Sequence, residues 1–138
     1  MKKILLISLT FLILNCSTNS DNQSVSNVQI TPPSWIQGTW LQTLSTDPLI
    51  TQPVYRFSEN DFCVISSSIE TCHAQNLQQA SQSGGNVNVE QIITATEYEL
   101  KITVVSQTTK YNFIKINDTT IEAVNPTNGL PNLTLTRQ

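Results

Sequence analysis

Residues 97–106 read Glu-Tyr-Glu-Leu-Lys-Ile-Thr-Val-Val-Ser, and this stretch decides the fold class. Tyr98, Leu100, Ile102 and Val104 share one side of an extended chain, with Glu97, Glu99, Lys101 and Thr103 on the other. A period of two with one apolar face and one wet face marks a half-buried antiparallel strand. Working outward, comparable short runs recur at 38–44, 53–57, 62–66, 69–73 and 87–94 on one side, and at 110–116, 119–124 and 133–137 on the other. Turn-forming residues separate them: Ser58-Glu59-Asn60-Asp61, Ser67-Ser68, Gln107-Thr108-Thr109, Asn117-Asp118 and the wider turn 126–131. Only residues 74–86, AQNLQQASQSGGN, break the rhythm. They read as one or two helical turns ended by Gly84-Gly85, or as a long loop. Eight or nine strands joined by short sequential connections predict an all-β fold, a small antiparallel up-and-down barrel, with a sandwich as the alternative.

The composition agrees. Thr, Ser, Asn and Gln supply 57 of 138 residues, a mixture suited to pleated strands and turns rather than surface helices. Charged residues make up only 12%, with seven Lys and Arg against ten Asp and Glu, so there is no basic footprint for nucleic acid. One His, three Cys and four Gly leave little material for a metal site, a catalytic relay or a phosphate loop. No Gly-x-Ser-x-Gly, His-Glu-x-x-His or phosphate-binding glycine loop occurs, and neither catalysis nor a cofactor is expected.

The first residues read as an address. Lys2 and Lys3 precede an apolar stretch from Ile4 to Leu14, about half the ~20 residues needed to span a bilayer. The stretch ends in Ile13-Leu14-Asn15-Cys16, which resembles the lipobox of bacterial lipoproteins. That resemblance implies removal of residues 1–15 as a signal peptide and acylation of Cys16. With two or more chains, such an anchor is stable. Ser17, next to Cys16, leans by the same resemblance toward the outer membrane. Residues 17–31 are mostly small and polar with no apolar period, so 16–31 reads as the lipidated Cys and a tether reaching ~20 Å. Pro32-Pro33 then opens a domain of 107 residues, 32–138.

Within that domain Gly38-Thr39-Trp40 resembles the opening of lipocalin-like barrels, in which a Gly-x-Trp starts the first strand. The resemblance implies that Trp40 plugs the closed end and that Arg137, in the last strand, packs over its indole. A guanidinium on an indole face gains ~0.5–2 kcal/mol.

Cys63 lies four residues before Ser67 and Cys72 four after Ser68, so a tight hairpin sets them opposite one another. In an oxidising envelope they are expected to form a disulfide. A metal or thiol site would have to combine Cys63, Cys72 and His73, yet Cys72 and His73 are neighbours in a predicted strand and point to opposite faces. Glu97 and Glu99 share a face as a pair of catalytic carboxylates would, although such alternation is the ordinary wet side of a strand. A barrel of this size either packs solid or holds one small ligand. Tyr55, Phe57 and Tyr111 are the candidate ligand contacts, chosen for aromatic character, and 45–52 and 74–86 the candidate rim or lid. The leading expectation is a non-catalytic, lipid-anchored envelope protein binding a small apolar or amphipathic molecule. The alternatives are a solid barrel that contacts another envelope protein as inhibitor or accessory subunit, and a carbohydrate-binding module using exposed Trp35 or Tyr side chains.

Overall fold

The computed structural model describes residues 28–44, 47–127 and 129–138. The signal peptide, Cys16 and most of the tether lie outside the described residues. The described chain forms β1 (Gly38–Leu44), β2 (Asp47–Phe57), β3 (Phe62–Ser66), β4 (Ile69–Cys72), α1 (His73–Gln82), β5 (Val87–Ile93), β6 (Glu97–Val104), β7 (Gln107–Lys115), β8 (Thr120–Ala123) and β9 (Leu133–Arg137). The nine strands make one antiparallel sheet in the order β4-β3-β2-β1-β9-β8-β7-β6-β5.

Every adjacent pair except β1–β9 is consecutive in sequence, which is the up-and-down order. The β1–β9 pairing joins the two halves of the meander and leaves the seam between β4 and β5. The sheet curls on itself into a half-barrel: Phe57 of β2 meets Phe113 of β7 with ring centroids 5.0 Å apart, though three strands separate them in the sheet. α1 connects β4 to β5 across the seam, touching β3 on one side and β5 on the other.

β6 carries the expected alternation. Tyr98, Leu100 and Ile102 are buried, and Lys101 on the outer face pairs with Glu90 of β5 at 3.0 Å. The hairpin at Ser67-Ser68 also forms as expected, both residues at positive φ (48° and 70°), the backbone of a two-residue turn whose twist matches the strands.

Four boundaries differ from the sequence reading, each for a tertiary reason. β2 begins at Asp47 rather than at Pro53. From 47 to 53 it has β1 as its partner, since β3 pairs only with Tyr55–Phe57. A proline costs little on such an edge, and the register shift between Trp40 and Leu41 accommodates Pro53. The turn expected at 107–109 lies instead at Val105-Ser106, because Val104 pairs with Gln107. Val105 has φ 59°, a conformation a β-branched residue rarely adopts, so nothing in its side chain announces the turn. His73 starts α1 instead of ending a strand. Finally, the packed unit takes in residues expected to end the tether. Ile30 is fully buried and Val28 packs against the core.

Candidate functional site

The two ends of the half-barrel differ. At one end Gly38 pairs with Phe57 and Trp40 with Arg137. Trp40 is fully buried, and its indole N–H donates to the Ile36 carbonyl at 2.7 Å. The Arg137 guanidinium carbon lies 4.9 Å from the ring centroid, and Nη2 donates to the Trp35 carbonyl. Gly38 holds φ +127°, and a Cβ there would meet the Arg137 methylenes at 3.8 Å. The structure thus brings Trp40 and Arg137 together at the closed end. Above them an aromatic cluster packs without interruption. Phe57 stacks on Phe62 at 4.8 Å, and Phe113 stands edge-on to both Phe57 and Tyr55.

The opposite end is open. β7 runs past β8, because only Phe113–Lys115 pair with Ile121–Ala123. Val124 still donates to the Asn112 carbonyl at 2.9 Å, after which the chain turns away into a loop tied internally by Asn125 and Asn132. The window left between β7 and that loop opens on a cavity of about 250 Å³, lined by Tyr55, Tyr111, Phe113, Thr109, Val124 and Pro126 among others. Tyr111 also borders a wider groove of about 520 Å³ against β3 and β4, where Val64, Ile69 and Thr71 form the opposite wall. His73 links that groove to a third hollow, about 280 Å³, under Leu77 and Ala80 of α1. The three hollows share walls at Tyr111 and His73 and lie over a solid core, and the first of them, beside Tyr55 and Tyr111, is the cup.

Of the three proposed ligand contacts, Tyr55 and Tyr111 are half-buried and line the cup. Phe57 does not share their position. It is 2% exposed, one step deeper toward the closed end, and its work is packing. Sequence reasoning missed His73 and the inner face of α1 as walls, since the helix buries only Leu77 and lacks an apolar stripe. Residues 47–52 lie in the long β2 ribbon at the open end, and 73–82 form a wall, so neither is a free lid. Leu49, Ile50, Ile69, Val105 and Leu130 are exposed around this same end, at or beside four different strand connections.

Cys63 and Cys72 are directly opposed in β3–β4 and form a disulfide. On the chain-entropy account a loop of this length contributes ~2–3 kcal/mol. Arg56 rests a guanidinium nitrogen 3.6 Å from the Cys63 sulfur and 3.7 Å from that of Cys72, and it also bonds Glu70. Asp61 approaches the same sulfurs, but bonded sulfurs are not thiolate ligands, and Asp61 Oδ1 already accepts from the Phe62 and Ala74 amides. Glu97 and Glu99 are engaged by Asn112 and Lys110 respectively. Trp35 is half-buried with its N–H on the Thr94 carbonyl. Among the described residues no exposed large side chain is aromatic, so no flat sugar-stacking strip forms there.

His73 stacks on Phe62 at 5.3 Å, and its Nε2 is enclosed without a partner. Burial holds the imidazole below its ordinary pKa, with the Asp61 carboxylate pulling the other way. An unfolded histidine takes its proton as pH falls through about 6.5, and the folded one only further down. The unfolded state binds more protons in that window, so stability is fully present above about pH 6.5 and declines below it. Urea unfolding at about pH 7.5 and pH 5 should show this loss, and His73→Phe, which keeps a ring on Phe62, should flatten it. An unchanged slope in the variant would assign the effect to other groups.

No family model matches the chain, and no curated protein or solved structure matches it.

Proposed function

We propose that the protein is a non-catalytic, lipid-anchored component of the bacterial envelope that binds a small apolar or amphipathic molecule in the open end of a lipocalin-like half-barrel. The cup carries this reading. A chain that needed only a stable core would fill the space beside Tyr55, Tyr111 and Phe113, as it does around Phe57 and Phe62. Pockets that take small molecules are concave and mostly apolar with a few placed polar groups, and the cup has that character. The membrane assignment rests on Ile13-Leu14-Asn15-Cys16 and the apolar run before it, and the outer membrane on Ser17.

Native mass spectrometry of the chain, purified gently from a bacterial host, tests both parts. A co-purified adduct lost on denaturation is expected, together with acyl chains on Cys16. A bare chain that also fails to enhance a small apolar dye would sink the ligand reading, and an unmodified Cys16 would sink the anchor. A second reading, contact with another envelope protein, is favoured by the exposed aliphatic side chains around the open end. Patches of that kind commonly mark interaction sites.

A further inference from the structure

Two tyrosines line the 250 Å³ cavity. Tyr55 reaches it from β2 and Tyr111 from β7. Neither hydroxyl has a hydrogen-bond partner among the described residues, whereas the third tyrosine, Tyr98, donates to Gln91 at 2.9 Å. Both residues wall the same cavity, and burial raises the pKa of each, with the Tyr55 charge adding to the rise at Tyr111. Each therefore stays protonated and remains a donor. Neither hydroxyl is sealed from solvent, so each can donate to water or, in an apolar wall, to the oxygen of a ligand that displaces it.

The rest of the wall restricts the partner. Lys110 borders the cavity but bonds Glu99 at 2.7 Å, and Asn112 sends its amide to Glu97. Among the described residues that line the cavity Lys110 is the only cation and it is already paired, so a carboxylate would lose its hydration without a free counter-charge. A neutral oxygen with two lone pairs suits two donors. The size restricts it further: an apolar cavity of ~150 Å³ holds one benzene, and this one is about 250 Å³.

We propose that Tyr55 and Tyr111 together hold the oxygen of a small neutral carbonyl compound, a single ring or short acyl chain bearing a ketone, aldehyde, ester or amide, with its apolar body against Phe113, Val124 and Pro126. This rests on the cup being a ligand site and names what it selects.

Acetophenone and α-methylstyrene test it, since they share a shape and differ in C=O against C=CH2. Calorimetric titration of the full chain should find acetophenone roughly tenfold tighter, the effect of about one well-made hydrogen bond. The preference should shrink in Tyr55→Phe and in Tyr111→Phe and vanish in the double variant, each keeping its ring. The comparison in the unaltered chain decides the matter even if a variant folds poorly. Equal binding of the two probes would overturn the carbonyl reading while leaving the cup as a ligand site. Benzoate binding more tightly than acetophenone would overturn the requirement for a neutral oxygen. Failure of both neutral probes to bind up to saturation would remove the cup itself, and this inference with it.

Discussion

Trp40→Ala is expected to cost about 3–5 kcal/mol of folding free energy, and Arg137→Ala about 1–3 kcal/mol, with the double variant losing clearly less than the two together. The first figure follows from complete burial of the indole and loss of its bond to the Ile36 carbonyl. The second combines the guanidinium lying 4.9 Å over the ring with the Trp35 carbonyl that Nη2 would leave unpaired. Arg137 owes part of its position to Trp40, its register partner across β1–β9, so removing either takes value from the other. Urea unfolding of the four proteins gives the coupling directly. A domain of ordinary stability, ~5–15 kcal/mol, keeps a measurable folded state after most of these losses. Trp40→Leu provides a milder cycle if Trp40→Ala does not fold. Strict additivity in both cycles would mean that the closeness of the two groups contributes nothing, and the two halves of the meander would then be joined by the β1–β9 backbone pairing alone.

What the sequence made legible were features fixed by neighbours along the chain. The alternation from 97 to 104, the symmetric spacing of Cys63 and Cys72 about Ser67-Ser68, and Gly38 two residues before Trp40 are all local patterns, and each has its expected geometry in the fold. Depth was not legible. Tyr55 and Phe57 are two residues apart on one face of β2, yet Phe57 is core and Tyr55 borders the cup. The difference is made by β3, β7 and the early end of β8, none of which leaves a mark on residues 55–57. The same holds for α1. Its sequence carries one buried side chain, Leu77, and its role as a wall comes from the seam it crosses. The candidate ligand site is thus half readable: which aromatics face inward follows from parity, and which of them meet open space follows from how far each strand extends.

Ile30→Ala is expected to destabilise the protein by about 2–5 kcal/mol, the usual cost of truncating a buried isoleucine. If residues 28–31 belonged to the tether, the same change would cost close to nothing. The polar residues around Ile30 conceal its role, because Gln29 and Thr31 read as linker. In the fold they are what hold it. The Gln91 side chain of β5 accepts from the Thr31 amide at 2.8 Å and donates to the Gln29 carbonyl at 3.1 Å, while its oxygen also receives the Tyr98 hydroxyl at 2.9 Å. Ile30 is thereby pinned into the core beside β5, a strand at the edge of the sheet. A neighbouring site with opposite exposure serves as control: Leu49 is 92% exposed, and Leu49→Ala should stay within about 0.5 kcal/mol of the parent. If Ile30→Ala matched Leu49→Ala, the folded unit would begin at Pro32 and residues 28–31 would return to the tether. If the expected loss is found, a chain cut at Pro32 lacks part of its own core. Ligand measurements on such a fragment would then report on a damaged fold, and only the full chain would show the binding of the intact cup.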